Sequence, residues 1–262
     1  MNLPRSDPAL PFHASCATSV RALAAFLATW LAVLPWAGHA AELTRSELET
    51  RLEQRTSLEK VDLSGLDLEG LAFAQANLRG SNLKRANLRS ADLSGATLDV
   101  AILREAELQG ANLEGASAFS AIFADADLRG ANLEGAALVA NFENANLGGA
   151  RLAGARMAAD MQNQPMGLMR VRLYNADLEG ADLEGARLGF CMAEFAEFRN
   201  ANLRNTDFSM CDLAGADFRG ADLEGASFAG ADIRKADFRA TRNLEKASGL
   251  ERTIGRDRAW FD

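Results

Sequence analysis

Histidine is almost missing from this chain. Only His13 and His39 occur among its 262 residues, and both lie before residue 41. The rest of the sequence therefore lacks the commonest general base and the commonest metal ligand. Tyrosine occurs once, at Tyr174, and serines and threonines are scattered with no base beside them to activate a hydroxyl. Proline is rare, with Pro4, Pro8, Pro11 and Pro35 near the start and Pro165 alone in the remainder. No phosphate-cradling loop stands out, because glycine recurs on a fixed period that accounts for every spaced-glycine pattern. These absences predict a protein that is not an enzyme, with no catalytic, cofactor-binding or metal-ligating residues.

What is abundant is one five-residue phrase, Ala–Asp/Asn–Leu/Phe–x–Gly. It reads ADLEG at Ala181–Gly185 and Ala221–Gly225, ANLRG at Ala76–Gly80 and ADFRG at Ala216–Gly220. Taking Leu or Phe as the centre i, centres fall at Leu63, Leu68, Phe73, Leu78, Leu83 and onward. A period of five builds no helical stripe, since at ~100° per residue each unit rotates the apolar position by ~140°. It does not suit a straight strand either, because side chains there alternate with period two and an odd period alternates the faces. A short extended piece followed by a bend satisfies the pattern. Positions i−2, mostly alanine (Ala76, Ala86, Ala91, Ala111, Ala131), and i then point inward, while i−1, i+1 and i+2 point outward or form the corner. Glycine at i+2, as at Gly65, Gly80, Gly95, Gly110 and Gly130, supplies the corner conformation. Such units bury their apolar residue only by stacking.

From Val61 to Ala240 these phrases closely resemble the pentapeptide-repeat family. The resemblance implies an all-β, right-handed quadrilateral parallel β-helix with four pentapeptides to a coil. Residues 20 apart would stack at about 4.8 Å, giving about nine coils. The register has one flaw. Centres run in fives to Leu138, shift back by one to Phe142, Leu147, Leu152 and Met157, and recover at Leu168. The two shifts cancel in this count and the faces are expected to realign, with residues 139–168 as the break and Asn163–Gly167, containing Pro165, as a bulge or extruded loop.

The ends differ in kind. Residues 22–34 are apolar save one threonine, with Arg21 before them and Gly38-His39-Ala40 after. This is the pattern of a secretory signal peptide over residues 1–40, cleaved after Ala40 or Ala41, which predicts a periplasmic or secreted protein. Thirteen residues are few for a membrane span, so a membrane role arises only if the leader stays uncleaved. Pro4, Pro8 and Pro11 are unusual in a leader, and translation starting near Val20 is an alternative. Residues 41–60 are expected to form an N-terminal capping helix: Thr44–Glu47 is a capping box, and Leu48 and Leu52 share a helix face. Residues 241–262 are expected to form a C-terminal cap in which Leu244, Leu250, Ile254, Trp260 and Phe261 cover the last coil, or alternatively a homodimer contact. The alternative comes from the resemblance, since related proteins can pair through this end.

Several departures from the phrase carry specific content. Cys191 and Cys211 both occupy i−2, 20 residues apart, and so fall in one inward column as neighbours, either as buried thiols or as a disulfide. Met157, Met161, Met166 and Met169 gather at the register break, where methionine fills irregular cores and can also bind Cu(I). Phe198, Phe218 and Phe238 share one inward column, and Phe208 and Phe228 the opposite one. Outward, Glu197-Phe198-Arg199, Asp217-Phe218-Arg219 and Asp237-Phe238-Arg239 set carboxylate and guanidinium ladders side by side. Asp182, Glu184, Asp222 and Glu224, with only Arg204 between them, form the densest acidic patch. Ile102, Ile122 and Phe119 form an exposed apolar spot unless the Ala118–Phe119 unit rotates inward.

The formal net charge is −8, and loss of a leader carrying +1 leaves −9. An acidic rod invites a second reading drawn from the resemblance, since some family members mimic duplex DNA and inhibit topoisomerases in the cytoplasm. Interleaved arginines and the leader argue against nucleic-acid mimicry. The sequence is therefore read as an exported scaffold or macromolecule-binding surface for a protein partner that no residue names.

Overall fold

A computed structural model of the chain describes residues 44–159 and 169–262. The chain divides into two units, Met1–Glu42 and Leu43–Asp262. The first, with the expected signal peptide, lies outside the described residues, and the second holds the repeats. Among the described residues no helix is long and apolar enough to cross a membrane.

From Asp62 onward the chain forms four parallel ladders, running from Asp62 to Ile254, Asp67 to Trp260, Ala72 to Arg242 and Asn77 to Ser248. Each rung is a position i−1, and in the first coils successive rungs are 20 residues apart. The backbone shows why the unit has five residues. Asn82 donates its N–H to Val61 O at 2.9 Å and accepts from Leu63 N–H at 2.7 Å, so one extended residue joins two on the coil before it. The chain then turns: Ala86 N–H returns to Leu83 O at 3.1 Å, and Arg85 between them holds φ +57°. Three extended residues and a two-residue corner complete one side of a square.

The interior follows the same arithmetic. Leucine and phenylalanine centres from Leu58 to Phe238 are buried, with the i−2 residues between them. Polar exceptions at i−2 satisfy themselves: Ser81 Oγ donates to Leu78 O at 2.6 Å and Thr206 Oγ1 to Leu183 O at 2.9 Å. Cys191 and Cys211 lie in the inward column expected of them and are joined by a disulfide, with Cα atoms 4.5 Å apart.

Three expectations need correction. First, the faces do not realign as a count in fives implies. Ile122 pairs with Asn141, a step of 19, and Asn141 then pairs with Arg172, a step of 31. The shortened coil has a tighter corner, where Ala140 N–H reaches Leu138 O at 2.9 Å across three residues rather than four. The lengthened coil adds eleven residues between Met157 and Leu173. Centres resume in register at Leu173, and Leu168 lies outside the described residues. The ladders advance two pentapeptide slots fewer than the sequence count, so Leu178 stacks under Leu147 (Leu147 N–H to Asp177 O, 2.7 Å), two faces away from the wall that holds Leu138.

Second, residues 241–262 do not simply lie across the last coil. Arg242, Ser248, Ile254 and Trp260 continue the four ladders with six-residue steps. Each corner expands into one 3-10 turn, at Leu244–Lys246, Leu250–Arg252 and Arg256–Arg258. Leu244, Leu250 and Phe261 pack against the core as expected, but Ile254 and Trp260 occupy outward rungs and are exposed. Gly249 is required by space: a Cβ there would lie 2.5 Å from Ala229 N.

Third, the helix at the other end, α1, spans Arg45–Glu53, and ladder bonding already begins at Leu58, which donates to Asn77 O at 3.0 Å. The capping box forms, with Thr44 N–H to Glu47 Oε2 at 3.0 Å and Glu47 N–H to Thr44 Oγ1 at 3.3 Å. Leu48 is buried, and Arg45 ties α1 to the first coil by donating to Asp67 O and Glu69 O.

Candidate interaction surface

The outward Asp/Asn of each phrase does more than face water. Its Oδ1 accepts the N–H two residues on, as in Ser64 N–H to Asp62 at 3.0 Å, Arg79 N–H to Asn77 at 3.1 Å and Glu184 N–H to Asp182 at 3.1 Å. This local bond pre-forms the corner and explains the residue choice. Where asparagine follows on the next coil, its amide spans the gap: Asn82 to Asp62 at 3.0 Å, Asn87 to Asp67 at 2.9 Å, Asn202 to Asp182 at 2.8 Å. The outward placement expected of these positions foretold neither role.

Because i−1 and i+1 flank one inward residue, both project outward on the same side and can touch. Asp217 and Arg219 pair at 2.6 Å, Asp237 and Arg239 at 2.5 Å, Asp232 and Arg234 at 2.6 Å, and Asp127 and Arg129 at 2.6 Å. The ladders are thus stitched within each triplet. Hydrogen bonds from Arg239 hold the Asp237 carboxyl below its ordinary pKa against the opposing effect of burial. At Asp217 burial is the largest influence and pushes upward, but hydrogen bonds and charge from Arg219 outweigh it and the net direction is down. Arg199 bridges Glu179 at 2.8 Å, Glu197 at 2.5 Å and Asp217 at 3.6 Å, and its pKa is raised, chiefly by the Glu179 hydrogen bond.

The acidic patch is partly neutralised. Arg204 reaches Glu224 at 2.5 Å and Asp222 at 3.5 Å, Lys246 reaches Glu224 at 3.1 Å, and Asn243 donates to Asp222 at 2.8 Å. Lys246 and Asn243 come from the last coil, whose path a five-residue count could not place. The apolar spot is present, with Ile102 and Ile122 as paired rungs and Phe119 pointing outward. Ala118 takes the inward place, so the unit has not rotated. Val100 joins the spot, its N–H on Phe119 O at 2.8 Å. Of the methionines, Met157 is a buried centre and Met169 Sδ lies 3.9 Å from Ser120 Oγ, whereas Met161 and Met166 lie outside the described residues.

Four large apolar residues sit at i+2 corners where left-handed backbone favours glycine or asparagine: Val100, Phe190, Phe195 and Met210, with φ from +53° to +66°. Three of them are about half exposed, at 46%, 52% and 53% for Val100, Phe195 and Met210. Phe195 meets the exposed Tyr174 ring edge-to-face at 5.8 Å. Beside them Glu194 has one carboxyl oxygen buried without a partner, and burial, with Asp212 nearby, pushes its pKa up.

A family model for pentapeptide repeats matches the sequence in eight copies, over residues 56–95, 67–104, 81–117, 101–135, 172–209 and 206–242. The chain is a pentapeptide-repeat protein. Among solved structures it is similar to full-length QnrB1, a plasmid-mediated fluoroquinolone resistance protein, with a TM-score of 0.59 and 20% identity over 77% of this chain and 93% of that one. HetL, a pentapeptide-repeat protein involved in heterocyst differentiation regulation from the cyanobacterium Nostoc sp. strain PCC 7120, matches at 27% identity over 81% and 97% of the two chains, with a TM-score of 0.33. A search of curated proteins finds no match. The family and the likeness to QnrB1 imply a right-handed quadrilateral β-helix, in keeping with the four ladders. Pentapeptide-repeat proteins are generally structural or binding proteins.

Proposed function

We propose that this pentapeptide-repeat protein is an exported, non-enzymatic solenoid of about nine coils, closed at its N-terminal end by α1, that serves as a binding surface or scaffold for another protein. The observation that carries this reading is the placement of large apolar side chains at exposed left-handed corners. Each such residue incurs backbone strain that glycine avoids and leaves apolar surface in water, and costs of this kind are retained where a surface is used. The Cys191–Cys211 disulfide supports the exported half of the reading, since such bonds persist in oxidising compartments. The charge ladders support a protein partner over nucleic-acid mimicry, because they set an arginine against a carboxylate at Asp217–Arg219, Asp232–Arg234 and Asp237–Arg239, where a duplex backbone carries anions alone.

The test is to fractionate cells, sequence the N-terminus of the protein and cross-link it in place. A periplasmic or secreted chain beginning near Ala41 and cross-linked to a partner is the expected result. Full-length chain in the cytosol would refute export and favour a DNA-mimicking inhibitor, and full-length chain in membranes would favour an anchored rod. Cross-linking only to a second copy would assign the partner as a homodimer.

A further inference from the structure

The aromatic corner faces a cationic notch that the fold does not require. Phe195 lies along Gly215, where a Cβ would come within 2.7 Å of two ring carbons. Below that ring, Ala214 and Gly215 leave a depression whose remaining walls are Arg234, Lys235 and Arg258. Arg234 is paired with Asp232, Arg258 approaches Asp257 only at 4.0 Å, and Lys235 forms no ion pair among the described residues. A chain of net charge −8 thus gathers three cations against one exposed aromatic wall.

We propose that this notch binds an acidic segment of a partner protein bearing an aromatic or large apolar side chain. That side chain would lie over Ala214 against Phe195, and carboxylates beside it would meet Lys235 and Arg258. The inference deepens the binding-surface reading above and rests on it. Charge decides the class of ligand. A nucleic acid is an extended polyanion that needs a run of cations, and the notch offers three, one of them already paired with Asp232. A short acidic peptide needs only the notch, and an aromatic anchor beside charge-assisted contacts is how small interfaces gain affinity.

The test pans a phage-displayed random peptide library on the purified protein, then measures a synthesised, labelled winner by fluorescence anisotropy. Peptides combining acidic residues with an aromatic or large apolar residue are expected. Their affinity should fall at least tenfold on the Lys235→Glu/Arg258→Glu variant, and should fall on Phe195→Ala and recover on Phe195→Tyr. Circular dichroism would confirm that each variant is folded. No enrichment, winners without acidic residues, or unchanged affinity on the folded charge variant would overturn the inference. So would binding of a labelled 20-mer oligo-dT that the charge variant loses, or a dimer in sedimentation that the charge variant dissociates. If the winners fail in these ways while cross-linking in cells still finds a partner, the notch is refuted and the proposed function stands. If cross-linking finds none, the broader reading falls.

Discussion

The coils before and after the eleven-residue insertion follow one path with different contents. From Asp62 to Arg156 the walls are mostly leucine, and Phe123 on Phe142, 4.8 Å apart, is the one ring pair stacked there. From Arg172 onward, Phe198, Phe218, Phe238 and Phe261 stack at 5.0, 4.8 and 5.2 Å along one wall. Phe208 and Phe228 stack at 5.4 Å on the opposite wall. Rings of the two walls meet edge-to-face at 5.4 to 5.8 Å. In the aromatic coils rings of opposite walls touch edge-to-face, a contact that the stacked Phe123–Phe142 pair of the leucine coils does not make. Outside, asparagine amides cross between coils of the first half at Asn82, Asn87 and Asn112, whereas Asp217, Asp232 and Asp237 of the second pair with the arginine two residues on. The backbone sets the square, and composition sets how strongly opposite sides depend on each other.

The sharpest way to break this contrast is Phe218→Ala. It removes a ring that touches Phe198, Phe208, Phe228 and Phe238, and should cost about 3–5 kcal/mol. Leu108→Ala, a fully buried leucine of the first half, should fall nearer the low end of the roughly 2–5 kcal/mol range in chemical denaturation. Equal losses would show that contact between walls adds nothing. Corners extend the comparison. Gly115→Ala meets nothing within 4 Å and should cost only left-handed strain, roughly 1–2 kcal/mol, while Gly249→Ala also collides with Ala229 backbone and should cost clearly more. Similar melting temperatures for the two would contradict the six-residue path of the last coil. At the closed end, Thr44→Ala removes the capping box and should cost about 1 kcal/mol, seen first as faster hydrogen exchange in α1.

The smallest effect tests charge. Asp127, Asp217 and Asp237 have lowered folded pKa values, so their contributions are present above the ordinary aspartate range and are lost as pH falls through the folded values. Glu194 runs the other way. Its folded value is raised, so its contribution is fully present below the ordinary glutamate value and is lost as pH rises through the raised one. Glu194→Gln should therefore raise the melting temperature slightly at pH 7 and lose that advantage near pH 4. A variant no more stable at pH 7 would show that Asp212 and burial do not strain this carboxyl.

Much of the architecture can be read from residue types alone. Leucine and phenylalanine at one slot and alanine two before it identify the inward columns, and the Phe198 and Phe208 columns follow by adding 20. The capping box announces α1 because its chemistry is local. The break is not legible, because a count in fives cannot tell slots that stay in the wall from slots that leave it. Pentapeptides removed in pairs restore the pattern while rotating the faces. The C-terminal coil escaped for the same reason, since Arg242, Ser248, Ile254 and Trp260 abandon the period while keeping the path. The Asp/Asn bonds to the corner N–H were legible in principle from Asx-turn chemistry. The notch was legible in part, since Phe195, Gly215 and Lys235 are 20 apart, but Arg258 joins them only through the six-residue steps of the last coil.

The Cys191–Cys211 bond joins one coil to the next, and this has a mechanical consequence. A chain pulled from its ends would peel coil by coil, and a coil of twenty residues would give them up as slack. The bonded coil cannot be drawn out while its sulfurs stay joined. At ~3.4 Å per extended residue, the oxidised protein should stop about 70 Å short of the reduced one in a force–extension trace.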